Sequence, residues 1–592
     1  MANLKLSILQ DISGRWSRSP RSHAGQMPQI QTQVLIVGGG PVGLTAAMDL
    51  ASRGVQVVIA EIRRAGEPPS VKCNHVSARS MEVFRRLGIV HQVRNGGLPA
   101  DFPNDCAYRT AVVGRELARI PIPCRADRYT AKDGPDTDWP TPEPPHRINQ
   151  IYLEPILFAG ARDRPQIKIL NRVEVERFDQ TLAGITAHAR DLDTHRGITI
   201  AADYLIGCDG GRSVVRKLIG ARFAGTDVVQ RVQSSYIHAP QLKDMIVQKP
   251  AWMTMSLNPR RCGTTVSIDG KDSWLVHNHL SPHETDFESV DRDWALRNIL
   301  GVDDRFRYEV IGKEDWVGRR LVADRFRDRR AFICGDAAHL WMPYAGYGMN
   351  AGIADAADLC WMLAAVLQGW ANPAMLDAYE AERQPITEQV SHFAMNHALA
   401  VIDQKRAVPP EVEWDGAMGD EVRDRIGRAA YELNVQQYCC AGLNFGYYYD
   451  QSPIIAYDGE APPPYSMGAF TASTVPGARA PHVWLANDRS LLDELGPAYS
   501  LLRFDQAVDV GPLLDAAAQS CVPIRLIDVD RSRASSDVAE SLLIVRPDSH
   551  IAWRGNAVPC RISPLLDRLR GAVSEPGHGP RERASEMNAV AD

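Results

Sequence analysis

The stretch "VLIVGGGPVGLTAAMDLASRGVQVVIAE", residues 34–61, decides how the chain is read. Together with Gln33, its first residues make an apolar, β-branched run suited to a strand buried on both faces of a parallel sheet. Gly38, Gly40 and Gly43 then satisfy G-x-G-x-x-G, "LTAAMDLASRG" continues with helical character to a stop at Gly54, and "VQVVIAE" reads as a second strand. The three glycines do different things. Gly38 permits the tight turn, Gly40 lets a pyrophosphate approach the backbone, and Gly43 lets the helix lie close to the strand. The helix N-terminus offers free N–H groups and a favourable dipole to the phosphates. Glu61 closes the second strand about 20 residues on, where its carboxylate can accept from ribose hydroxyls. A dinucleotide binds such a unit, and the unit alone leaves FAD and NAD both open.

At 592 residues the chain exceeds one hydrophobic core, so two or three domains are expected. An apolar share of 45% and a charged share of 23% argue against disorder over most of the chain. The formal net charge of −6 gives no general pull toward nucleic acid or an anionic membrane, and neither is expected as a partner. No uninterrupted apolar run reaches the roughly 18 residues that span a bilayer. Residues 1–30 carry Lys5, Arg15, Arg18 and Arg21 without the apolar segment of a secretory signal, and Met27 is an alternative start. A soluble cytoplasmic protein is expected. Eleven cysteines without C-x-x-C spacing read as small buried side chains in a reducing compartment, with neither disulfides nor a metal expected.

Two later signals narrow the cofactor. "YLIGCDGGRSVVRKLIG", residues 204–220, ends an apolar strand in Asp209-Gly210 before a basic helix, and alone it is an ordinary connection. "AFICGDAAHLWMPYAGYGMNAGIADAADLCWML", residues 331–363, leads another strand into Gly335-Asp336, a glycine-rich loop and a helix. The three signals in this order resemble the FAD-dependent aromatic hydroxylases, single-component class A flavoprotein monooxygenases, of the phenol-hydroxylase type. The resemblance implies noncovalent FAD, NADH or NADPH as a transient co-substrate, O2 and a small aromatic substrate. It also implies a mixed α/β and α+β fold: a Rossmann-like FAD-binding domain, a β-sheet substrate domain and a thioredoxin-like C-terminal domain.

On that pattern residues 1–30 are a flexible extension, and 31–405 are the FAD-binding domain with substrate-domain segments at 100–148 and 221–320 inserted. Residues 406–472 form a looser connector with dimer-facing elements, 473–572 a thioredoxin-like domain without C-x-x-C, and 573–592 a flexible tail. The substrate sheet is drawn from strand-like runs including "AWMTMSLNP", "GTTVSI" and "DSWLVHNHL".

Site residues follow from the same resemblance. Asp336 contacts the ribityl chain, Asp209 serves FAD, and Gln150 in "HRINQIYLEPIL" and Arg79 in "CNHVSARSMEVFRRLGI" fall beside the flavin. Gly346 and Gly348, after Pro343, let backbone pass close to the isoalloxazine. The helix starting near Met349 aims its positive end at the N1–C2 region, with Asn350 adding an amide hydrogen bond. Met342-Pro343 replaces the two prolines frequent in relatives, and Tyr344 and Tyr347 would then shape the wall beside the flavin. His75 is the candidate base for a substrate hydroxyl and Tyr344 a second catalytic candidate. Asn74, Trp252, Met253, Trp274, His277 and Tyr347 are candidate substrate contacts, with Met255 and His279 close by in sequence, while His339 anchors the G-D loop.

The expected reaction has NAD(P)H reduce FAD and O2 add at flavin C4a. The hydroperoxide then passes its terminal oxygen to a phenolic or related ring. One alternative is tailoring or inactivation of a polyketide or polycyclic natural product. Another is a noncatalytic FAD-binding protein, which would show no substrate-stimulated NAD(P)H consumption. The lack of a C-x4-C pair after the first glycine loop speaks against a disulfide reductase, and the lack of W-x-W-x-I-P against a halogenase. A homodimer and a place in aromatic catabolism are expected from the resemblance.

Overall fold

Residues Gln29–Val37 form the expected strand, fully buried from Val34 to Val37 as an inner strand with two covered faces must be. The computed structural model describes residues 29–343, 346–485, 489–534 and 538–572. In an eight-stranded sheet Gln29–Val37 pairs in parallel with Val57–Glu61 on one side and Gly197–Gly207 on the other. Ala331–Ile333 extends the sheet in parallel beyond Gly197–Gly207, and Ile167–Asn171 beyond Val57–Glu61. The strands leading to Asp336, Asp209, the glycine loop and Glu61 are therefore neighbours ending at one edge. The crevice outside those carboxyl ends is where open α/β sheets bind ligands.

Helices Pro41–Ser52 and Gly348–Leu367 pack against each other on this sheet. Helix Gly348–Leu367 is long and apolar enough by composition to cross a membrane, but 83% of its apolar window is buried inside the protein. It is a core helix. Asp355 and Asp358, which interrupt its apolar run, are both spent on internal ion pairs.

The second sheet has nine strands and draws on both expected insertions, from Cys106–Arg109 and Glu116–Ile120 through Phe223–His238 to Trp316–Ala323. Its period of two separates two faces. Trp274 and Val276 join Leu296, Ile299 and Leu300 of helix Arg292–Leu300 on the outer face. Met255, Val266 and Leu275, with Trp252, Met253 and Tyr236, form the inner face against Ala430 and Tyr438. Those last two lie on helix Ala417–Tyr438, 22 residues within the segment read from sequence as a loose connector. A Cβ on its Gly427 would lie 2.0 Å from the Leu117 carbonyl oxygen, so glycine lets the helix lie directly on strand Glu116–Ile120.

The C-terminal sheet runs Ile524–Asp528, Tyr499–Arg503, Leu542–Val545, Ile551–Gly555. Its first pair is parallel and connected through helix Gly511–Gln519, the other pairings are antiparallel, and helix Ile562–Leu569 follows, a thioredoxin-like order. The domain is held to the FAD-binding domain by the fully buried Arg546, which donates to Glu382 at 2.6 and 2.7 Å, to Asp358 at 2.8 Å and to its neighbour Asp548 at 2.8 Å.

Candidate active site

The glycine loop has the geometry its spacing requires. Gly38 has φ +102°, and a Cβ there would lie 2.3 Å from the Cys208 carbonyl oxygen. On Gly43 a Cβ would stand 2.0 Å from the Gly38 oxygen, whereas on Gly40 it would meet nothing within 4 Å, leaving an open approach to the backbone. Helix Pro41–Ser52 begins at Gly40 with no side-chain cap and no acidic residue in its first turn, so its N–H groups remain available to an anion.

Glu61 accepts from Gly39 N at 2.5 Å and from Arg63 N at 2.8 Å. Arg63 continues to Glu154 at 2.5 Å, and Glu154 accepts from Gln150 Nε2 at 3.0 Å. This chain of contacts places Gln150 on the crevice side of helix Gln150–Arg162, capped by Asn149. Asp209 accepts from Val214 N and Val215 N through Oδ2, while its buried Oδ1 has no partner among the described residues. An orphaned buried carboxylate oxygen calls for a donor, and a cofactor hydroxyl is one. Asp336 is exposed to the crevice, and the desolvation by the protein crowded around it pushes its carboxyl above the usual carboxylate range. Open phosphate approach, unpaired Asp209 and Asp336 together fit FAD.

His339 anchors the G-D turn: its Nε2 meets Asp355 Oδ2 at 2.7 Å, and the same oxygen accepts from Gly335 N at 3.0 Å. Behind the crevice the Cys208 and Cys360 thiols are raised well above their ordinary range, Cys208 by a hydrogen bond with Cys334 and then burial, Cys360 chiefly by burial. Cys73 is pushed up by burial to about 11.

Three distant segments meet at the expected flavin loop. Gly346, at φ +60°, passes so close to His75 that a Cβ would touch the His75 Cβ at 3.0 Å. Val76 pairs with His146, and Gln150 N donates to the Cys73 carbonyl at 3.0 Å, which brings residues 73–76 alongside 146–150. Asn149 Nδ2 donates to Asn74 Oδ1 at 2.5 Å. Helix Gly348–Leu367 starts there without a side-chain cap or an acidic first turn, with Met349 in that turn, and Gly346 N donates to the Pro343 carbonyl at 3.1 Å.

Several expected roles change. Arg79 is turned away from the crevice: helix Ala78–Arg86 directs it to Glu82 at 3.0 Å and to the Asp548 carbonyl at 2.8 Å, at the C-terminal domain. The Asn350 side chain is fully used inside the protein. Its Nδ2 donates to the His75 and Gly346 carbonyls, and its Oδ1 accepts from Ser77 N and Ser80 Oγ. Tyr347 packs among Ile386, Val390 and Leu443, and its hydroxyl donates to the Leu443 carbonyl at 3.0 Å, so it does not wall the flavin. Trp274 lies on the outer sheet face, one residue out of phase with His277. Tyr344 lies outside the described residues.

His75 changes chemistry. Its Nδ1 pairs with the Arg147 guanidinium. A guanidinium only donates, so Nδ1 must accept and the ring proton sits on Nε2. Burial first, and Arg147 second, push His75 far below the usual imidazole range. The residue is a neutral hydrogen-bond donor, and its acceptor nitrogen is not free to act as a base.

Met253, Met255, His277 and His279 lie on the inner face. Met253 Sδ accepts from Tyr438 Oη at 3.4 Å, His277 Nδ1 meets Ser234 Oγ at 2.7 Å and His279 Nε2 meets Thr264 Oγ1 at 3.1 Å. Arg147, which the sequence reading passed over, stacks 4.4 Å above Trp252 while reaching His75, and so links the flavin loop to this sheet face. Its signal was present: a charged residue three positions before Gln150, beside His146 in "PPHRINQ".

A crevice for a dinucleotide closed by a separate sheet with an apolar inner face defines a flavoprotein oxidoreductase. Residues 31–394 match the family described as FAD binding domain, and residues 473–576 match aromatic-ring hydroxylase, C-terminal. The chain belongs to the FAD-binding aromatic-ring hydroxylases, a family of FAD-dependent monooxygenases that use NAD(P)H. It is 29% identical to the FAD-dependent monooxygenase apdD of Emericella nidulans over 571 residues, covering 91% of this chain and 90% of that one. With phenol 2-monooxygenase of Pseudomonas sp. it shares 29% over 573 residues, covering 89% and 90%. The structure of the rebeccamycin biosynthetic enzyme RebC with reduced flavin superposes with a TM-score of 0.82 at 31% identity, over 92% of this chain and all of the other.

Proposed function

We propose that the protein uses NAD(P)H and O2 to hydroxylate a phenolic or related aromatic substrate between the flavin loop and the inner face of the nine-stranded sheet. The observation that carries this reading is the link from Gly346 through His75 and Arg147 to Trp252, which sets polar donors beside an apolar wall. FAD, when bound, supplies the redox chemistry that takes hydride from NAD(P)H and activates O2. Asp336, Asp209, Glu61 and the glycine loop would hold it. The uncapped start of helix Gly348–Leu367 favours negative charge on the reduced ring.

The Nε2–H of His75 donates to the substrate oxygen and orients the ring, a positioning role. Trp252, Met253, Val266 and Leu275 exclude water, which would otherwise divert reducing power to hydrogen peroxide. The test is NAD(P)H oxidation by the FAD-loaded protein with a panel of phenols under labelled O2. Stimulated oxidation with one labelled oxygen in an aromatic product is expected. No stimulation by any aromatic would sink the reading in favour of a noncatalytic flavin binder.

A second substrate class, polycyclic natural products, is supported by the 31% likeness to a rebeccamycin biosynthetic enzyme over 92% of the chain. Small phenols would then stimulate oxidation yet yield only hydrogen peroxide, while a polycyclic substrate would couple.

A further inference from the structure

Arg147 is only 4% exposed, yet among the described residues no carboxylate pairs with it. Its Nη1 is spent on His75 Nδ1 and its plane on Trp252, and its buried Nη2 has no partner among the described residues. The neighbouring carboxylate is Asp136, which is already used: Oδ2 accepts from Arg128 at 2.6 Å and Oδ1 from Trp139 Nε1 at 2.9 Å. The remaining titratable groups facing Arg147 or its partner His75 are Arg128, His146, Cys439 and Cys440. Burial keeps His146 neutral, at about 3, and raises the thiols, Cys440 to about 12, so none of them supplies an anion. A buried guanidinium without a counter-charge is costly to hold and marks a place where a ligand completes the pairing.

We propose that Arg147 Nη2, with the Nε2–H of His75 as second donor, receives an anionic oxygen of the aromatic substrate, a carboxylate or a phenolate. The inference rests on the aromatic-monooxygenase reading and narrows its substrate class. The fork of a guanidinium suits such an oxygen, and charge-assisted hydrogen bonds are the strong ones. A neutral ring would leave Arg147 unpaired, so the site discriminates by charge as well as by shape. When the anion is a phenolate, the phenol O–H bond breaks heterolytically, the oxygen keeps the electron pair and the proton passes to solvent. The His75 acceptor nitrogen is occupied, and Arg147 replaces a base by stabilising the deprotonated form.

The experiment is equilibrium binding to the oxidised, FAD-loaded full chain, read as a change in the flavin absorption spectrum, with para-nitrophenol, salicylate and phenol as probes. The phenolate band of para-nitrophenol also reports its protonation state when bound, below its solution pKa. Wild type should bind it as phenolate. Arg147→Gln should bind it roughly ten- to a hundred-fold more weakly and as the neutral phenol, with Arg147→Lys in between.

Salicylate favoured over both phenols identifies a carboxylate as the natural anion, and para-nitrophenolate bound in preference to salicylate identifies a phenolate. Equal binding by wild type and Arg147→Gln, a neutral probe bound to wild type, or no binding of either anionic probe would overturn the proposal. Unchanged FAD content and melting temperature in Arg147→Lys separate loss of the contact from loss of fold. Binding needs no turnover, so failure of the monooxygenase reading would show in the labelled-oxygen assay while the anion site still registered here.

Discussion

Two arginines are buried in this protein in opposite ways. Arg546 sits at the joint between the C-terminal and FAD-binding domains among Asp358, Glu382 and Asp548, which accept all its charge. Arg147 sits between the flavin loop and the substrate sheet with an imidazole and an indole for company. The first guanidinium is balanced by the protein and holds two domains together; the second is left for something outside the chain to balance. Arg479 lies between these extremes, paired with Glu82, which keeps Arg79 and Thr141 as further partners.

The contrast can be broken by a graded series of substitutions. Arg546→Met should cost about 3–5 kcal/mol, because it strands buried carboxylates. Urea unfolding, with limited proteolysis of the domain joint, would read it, and a loss below that of Arg479→Met would reverse the ranking. Arg479→Met should cost about 2 kcal/mol, since Glu82 retains two partners.

The third test is acid. The folded pKa of His75 lies below the ordinary 6.5, so as pH falls below that value the unfolded chain takes up a proton that the folded chain refuses, and stability falls. Arg147→Gln removes one cause of the depression. Its loss of stability between about pH 7 and pH 5 should be shallower than in wild type, by at most about 1.4 kcal/mol per pH unit. Parallel urea midpoints across that range would remove Arg147 as the cause. The smallest effect is on stability at neutral pH, where Arg147→Gln should change it by less than about 1 kcal/mol, because no buried anion is stranded. A loss as large as that of Arg546→Met would mean that Arg147 is structural.

What the sequence makes legible here are features whose cause is local. Gly38 and Gly43 are dictated by backbone atoms at one turn, so spacing alone locates them, whereas Asp209 and Asp336, at the ends of apolar strands, are picked out only through the family resemblance. Asn350 and Tyr347 adjoin the same loop, but their side chains are committed to residues that sequence spacing cannot place nearby, His75 across 275 positions and Leu443 across 96. Trp274 was misplaced by a choice between two strand faces that its own strand does not settle, since each carries buried apolar and polar residues. Arg79 was drawn away by a domain whose docking is invisible from the helix that carries it. Arg147 shows the reverse limit: its position was plain, but its lack of a counter-charge exists only in three dimensions.

The thiols behind the crevice bear on endurance. A flavin enzyme that misfires releases hydrogen peroxide beside its own cofactor, and the form of cysteine that peroxide attacks is the thiolate. Cys73, Cys208 and Cys360 are all held as neutral thiols. The three are thereby kept in the form that peroxide attacks least.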